Sequence, residues 1–132
     1  MAHLFQALEF RRKFAQPNLH PEASIKAEDI SRLGMQLGLI QEEGNEFKEA
    51  IEEWITAPSR VTRTHALKEL ADLVYVCYQM AAFLNADLDE ALDRIHDSNM
   101  SKVDDDGNPI YNTLGKVMKG PNYKEPDLSD LV

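Results

Sequence analysis

One stretch limits the possible folds more than any other. From Ile30 to Trp54, apolar residues recur at helical spacing: Ile30, Leu33, Leu37, Ile40, Phe47, Ile51 and Trp54. The steps alternate three and four, and Gly44 fills the one gap. This is a seam for packing helix on helix. The helix starts near Ala27–Asp29, with Ser24 as a candidate cap, and runs to Ile55, ahead of Pro58. A shorter helix over His3–Phe14 precedes it, and Pro17 and Pro21 punctuate the loop between them. A third helix begins after Thr62 or Thr64 and runs to about Leu84. Asn85–Asp87 make a turn, and a fourth helix spans Leu88 to Lys102. Val103 to Val132 carries three Pro and three Gly with short apolar pieces. It reads as an irregular arm with one small hairpin around Ile110-Tyr111 and Val117-Met118. The expected fold class is all-α: a four- to five-helix bundle subunit with a C-terminal arm. Residues 1–132 form one domain, with the core over about 27–102 and the arm over 103–132.

Composition excludes several classes. Fourteen Lys+Arg against 23 Asp+Glu give a net charge of −9, which argues against a nucleic-acid partner. One cysteine, Cys77, cannot make an internal disulfide or a thiolate zinc site. The longest apolar run, Leu73 to Leu84, is broken by Gln79 and too short to span a bilayer. The chain does not open on a charged-then-apolar signal segment. A cytoplasmic protein with no membrane partner is expected.

Charge also sits on faces that should be buried. At about 100° per residue, Glu42, Glu49, Glu52 and Glu53 fall opposite the apolar seam. Glu43 and Glu46 fall beside it, on the flank shared with Leu39 and Ala50. The third helix is apolar nearly all round from Leu67 to Leu84, the pattern of a central helix. Glu69 and Asp72 lie in its first turns, on a face with Leu73, Val76, Met80 and Phe83. Carboxylates entering a core cost several kcal/mol each unless compensated. Lys68 and Arg63 are near in sequence but lie off this face on a helical wheel. A divalent cation is the better partner, because one ion serves several carboxylates. On the fourth helix, Asn99 and Lys102 continue the stripe of Leu88, Leu92 and Ile95. They are either solvated at a helix end or part of the same interior polar site.

Carboxylate oxygens unaccompanied by His or thiolate suit Mg²⁺, with Mn²⁺ as a substitute. Four carboxylates are more than one ion needs, so more than one is expected. The matching reaction is metal-assisted hydrolysis of a phosphoanhydride, with a glutamate as general base. Lys102 and Asn99 would hold phosphate and sugar or base.

At these residues the chain resembles the MazG-like all-α nucleoside triphosphate pyrophosphohydrolases, relatives of dimeric dUTPases and phosphoribosyl-ATP pyrophosphohydrolase. Their signature is a pair of acidic motifs on consecutive helices, read here as Glu43-Gly-Asn-Glu46 and Glu69-Leu-Ala-Asp72, with 22 residues between. Glu42 supplies the extra acid of the fuller first motif, and Asn99-Met-Ser-Lys102 matches the downstream Asn and Lys. The resemblance covers roughly Ile30 to Lys102, and the arm looks like that of small phage and bacterial members. It implies Mg²⁺-dependent cleavage of a (deoxy)nucleoside triphosphate between the α and β phosphates. Glu43, Glu46, Glu69 and Asp72 would be metal ligands, Glu42 or Glu43 would handle the water, and Asn99 and Lys102 would bind substrate. The helical wheel argues against Glu42, unless a distortion near Gly44 or a partner subunit brings it in. The resemblance also implies a homodimer or homotetramer. Two alternatives stay open: phosphoribosyl-ATP or another non-canonical nucleotide as substrate, or a non-catalytic helical partner-binding module.

Other signals are weaker. Asp104-Asp105-Asp106-Gly107 has its glycine out of register for a calcium loop and no closing Glu. His3, His20, His65 and His96 are scattered, and only His65 shares a face with Glu69. Trp54 reads as core rather than a base-stacking platform. Lys116, Lys119 and Lys124 read as a solvated basic stretch of the arm.

Overall fold

The computed structural model describes residues 3–19 and 25–132. The cap expected at Ser24 lies outside them. Among the described residues four helices occur in order: α1 (His3–Lys13), α2 (Ala27–Thr56), α3 (Arg60–Phe83) and α4 (Leu88–Met100), followed by a 3₁₀ turn at Ser129–Leu131. Among the described residues there is no β-strand, only two isolated antiparallel bridges. No helix there is long and apolar enough to cross a membrane. The all-α class and the helix order match the sequence reading. The chain divides into two compact units, Met1–Ala86 and Asp87–Val132.

In the first unit, α3 packs against both α1 and α2. Only Ala57, Pro58 and Ser59 separate α2 from α3, so the two run antiparallel as a helical hairpin. The start of α3 differs from expectation. Ser59 Oγ accepts from the Thr62 amide at 3.1 Å, and Thr62 Oγ1 accepts from the Ser59 amide at 3.1 Å. This is a reciprocal capping box with Thr in the place usually held by Glu or Gln. It sets the first helical residue at Arg60. At the far end Asn85 takes a left-handed φ of 57°, a conformation Asn tolerates better than most residues. Its side-chain amide donates to Leu19 O at 3.0 Å, and Leu19 N donates to Phe83 O at 2.7 Å.

The buried set of this unit is small-sided: Ala7, Ala50, Ala66, Ala81 and Ala82, with Tyr78 and Phe83. Arg11 is buried with them, donating to Asn18 Oδ1 at 2.7 Å, Pro17 O at 2.7 Å and Gln79 Oε1 at 3.3 Å. The face of α2 turned inward is the flank of the apolar seam: Asp29, Gln36 and Ala50 are buried and Glu43 is half-buried. These four come at seven-residue intervals. The seam itself is only partly covered, and Ile30 and Leu37 are more than half exposed. The expectation that α3 is buried on every side is likewise corrected. Leu67 is 66% exposed, and Leu70, Val74 and Tyr75 are exposed too. Two packed neighbours cannot surround a helix.

In the second unit, α4 is capped by Asp87, whose Oδ1 accepts from the Glu90 amide at 3.1 Å. The segment after Val103 is fastened to this helix. Arg94 makes a two-pronged contact with Asp130 (2.5 and 3.0 Å), and Ser98 Oγ donates to Lys124 O at 2.6 Å. The expected small hairpin is present as a bridge between Tyr111 and Val117, with Met118 N donating to Ile110 O at 2.7 Å. Asp104 Oδ1 accepts from the amides of Asp106 and Asn108, both at 2.9 Å, so the acidic run is a self-bonded turn. Gly120 passes so close to the Val103 carbonyl that a Cβ there would collide with it.

Candidate active site

The antiparallel hairpin sets the middle of α2 against the third and fourth turns of α3. Glu43, Glu69 and Asp72 each offer a carboxylate oxygen, and these oxygens lie within 4.8 Å of one another. Glu69 is the most enclosed, its side chain 8% exposed. Its Oε1 lies 3.2 Å from His65 Nε2 and 3.3 Å from Lys68 Nζ. Its Oε2 is buried without a hydrogen-bond partner, as is Glu43 Oε2. A buried anionic oxygen left unpaired is costly. Two of them in one acidic cluster form a donor set of hard oxygens that a divalent cation would complete.

Glu46, one turn after Glu43, is not among the three converging carboxylates. A carboxyl–carboxylate hydrogen bond with Glu43, then repulsion from that same charge, pushes its pKa from 4.5 up to about 7. Burial, Glu69 and Glu42 add smaller pushes in the same direction. Glu42 is exposed, as the helical wheel has it.

The sign for stability follows from linkage. A carboxyl with a raised folded pKa binds more protons folded than unfolded as pH rises from 4.5 to about 7. Stability therefore falls across that window and stays lower above it. In EDTA the melting temperature is expected to decline from pH 5 to pH 8, and Glu46→Gln to flatten the decline. Thermal melts of both proteins across that range check this, and identical slopes would refute it.

One reading of the helical wheel needs correcting. Lys68 does reach the acidic face: Nζ lies 2.7 Å from Asp72 Oδ2 as well as 3.3 Å from Glu69. A lysine stem is long and flexible, and the i,i+4 spacing to Asp72 suits it. Hydrogen bonds to the two carboxylates raise the pKa of the ammonium, chiefly through Asp72 and then Glu69. A histidine also joins the site's edge. His65 bridges Glu69 and Glu53, with Nδ1 3.4 Å from Glu53 Oε2.

Asn99 and Lys102 belong to the second unit, at the end of α4. The buried face of α4 is carried by Ala91 and Ser98, and Asn99 is exposed, so the stripe through Leu88 and Leu92 does not turn it inward. Lys102 is half-buried, with Nζ 6.0 Å from the centre of the Tyr123 ring. Lys119 Nζ lies 4.7 Å from the same ring. The sequence reading had no role for Tyr123.

The sequence model of phosphoribosyl-ATP pyrophosphohydrolase matches residues 7–99. The chain belongs to the phosphoribosyl-ATP pyrophosphohydrolase family. No individual curated protein matches it. As a member of this MazG-like, all-α superfamily it is a pyrophosphohydrolase, a hydrolase of phosphoanhydride bonds. The non-catalytic alternative is thereby set aside. The stretch that matches the phosphoribosyl-ATP pyrophosphohydrolase family contains both acidic motifs and runs through the division at Ala86.

Proposed function

We propose that the protein is a cytoplasmic, Mg²⁺-dependent pyrophosphohydrolase that splits (deoxy)nucleoside triphosphates between the α and β phosphates, releasing a nucleoside monophosphate and pyrophosphate. The observation that carries this reading is the convergence of Glu43, Glu69 and Asp72 around two unpaired buried oxygens. Those three, with Glu46 at the edge, are the ligands we assign to Mg²⁺, and Mn²⁺ would serve in its place. Four carboxylates suit more than one ion. When bound, the cation supplies charge neutralisation at phosphate and a lowered pKa for water. Glu43 faces the cluster and is the better candidate to orient and deprotonate water; exposed Glu42 is the weaker one. Asn99 and Lys102 are assigned to substrate. We treat residues 1–132 as a single catalytic domain. A homodimer or homotetramer is also proposed, supported by the exposed apolar residues Ile30, Leu37, Leu67 and Val74.

A second substrate has its own support, because the matching family carries the name of phosphoribosyl-ATP. Both substrates would be cut at the same bond. The test is a product analysis with each NTP, each dNTP and phosphoribosyl-ATP, in Mg²⁺ and in EDTA. Monophosphate products with pyrophosphate, made only in Mg²⁺, are expected, and the rates rank the substrates. Diphosphate with inorganic phosphate would overturn cleavage at the α phosphate.

Lys102→Ala is expected to raise KM about tenfold or more, the worth of one charge-assisted contact to phosphate, with kcat much less affected. Steady-state kinetics decide it, and unchanged KM and kcat would remove Lys102 from the site.

A further inference from the structure

Lys68 places an ammonium at the acidic cluster from the solvent side. It touches Asp72 Oδ2 at 2.7 Å and Glu69 Oε1 at 3.3 Å, so one cation engages two of the three converging carboxylates. Its own side chain is 64% exposed, while those of Asp72 and Glu69 are 38% and 8% exposed. The ammonium therefore serves the rim and leaves Glu69 Oε2 and Glu43 Oε2 unpaired below it. Full neutralisation of the cluster needs a cation that sits deeper, and such an ion takes the same carboxylates.

We propose that Lys68 is an exchangeable counter-ion: it holds Glu69 and Asp72 together before a divalent cation binds, and it must let go for that cation to take them. This rests on the reading of the carboxylates as a metal site. Lys68 raises the metal concentration at which the site fills and offsets the repulsion among its carboxylates while it is empty. The Lys68 side chain is largely exposed, so its ammonium can move into solvent when a cation takes its place. The amine thus has opposite effects in the two states, whereas a lysine that merely stabilised the fold would help both.

The test uses Lys68→Met, which keeps the length of the side chain and removes its charge, and Lys68→Arg, which keeps the charge. Free Mn²⁺ is followed by electron paramagnetic resonance during titration of the full chain, and melts are recorded in EDTA. Lys68→Met is expected to bind Mn²⁺ about tenfold more tightly and to melt lower in EDTA. Lys68→Arg should stay close to the wild type in both. An affinity of Lys68→Met within about twofold of the wild type, with wild-type binding intact and lost in Asp72→Asn, would overturn the exchange alone. Failure of the wild type to take up Mn²⁺ would overturn the metal site itself, and the exchange with it.

Discussion

Glu69→Gln is expected to lower turnover about a thousandfold or more while leaving helix content unchanged. Glu69 is the innermost acid of the cluster, and its Oε2 is one of the two buried oxygens with no partner. An amide has nearly the same shape, so packing against α2 is preserved. It carries no charge, and its nitrogen cannot ligate a hard cation. Electrostatic stabilisation by a bound ion contributes several kcal/mol to a phosphoryl-type transition state, and each 1.4 kcal/mol is a factor of ten in rate. Fold stability should move little. The substitution weakens the contacts with His65 and Lys68 but relieves repulsion from Glu43 and Asp72. Those terms oppose one another, and the net is expected within about 1 kcal/mol. Circular dichroism and the product assay on the same sample check both halves. A variant with normal turnover would remove Glu69 from the chemistry.

Phe83→Ala is expected to cost about 3–5 kcal/mol of stability, the range for deleting a fully buried aromatic ring. Phe83 closes α3 with 0% of its surface exposed. The Arg11 guanidinium lies 5.7 Å from its ring centre, and its carbonyl accepts from Leu19 N. Deleting the ring opens a cavity and strips the buried cation of its aromatic face. A loss of this size is a large fraction of the total for a small domain. Urea denaturation measures it. A loss below about 1 kcal/mol would show that the end of α3 repacks around the gap.

Helix order was legible in the sequence because periodicity and breakers agree. Pro58 ends α2, and Asn85–Asp87 separate α3 from α4. The start of α3 was not legible, because Ser59 and Thr62 form a capping box without its usual acid. The two acidic motifs pointed to Glu43, Glu69 and Asp72, and the structure brings those three together. Glu46 shares the motif, yet its nearest relation is a hydrogen bond to Glu43. A helical wheel draws side chains as spokes, which is adequate for Leu and misleading for Lys68, whose stem folds along the helix to Asp72. It also fails at Asn99, where the stripe of α4 is not its buried face. Tyr123 meets Lys102 only because the arm returns to α4, and a contact across 20 residues leaves no local pattern. The apolar surround of α3 was read as full burial. Composition records that a side chain is apolar but not which neighbour covers it.

The seven-residue spacing of Asp29, Gln36, Glu43 and Ala50 makes α2 act as a ruler. Each of these positions returns to the same side after two turns, and Glu43 is one graduation among four. Adding or deleting one residue between Gln36 and Glu43 would turn everything downstream by about 100°. Glu43 would swing off the hairpin's inner side, and Ala50 would give way to a bulkier neighbour. Many residue types fit the outward positions of this helix, but its length between Asp29 and Ala50 has almost no freedom. Drift in this chain should therefore accumulate as substitutions on the outer side of α2 and as length changes elsewhere, because the count of residues is itself part of the site.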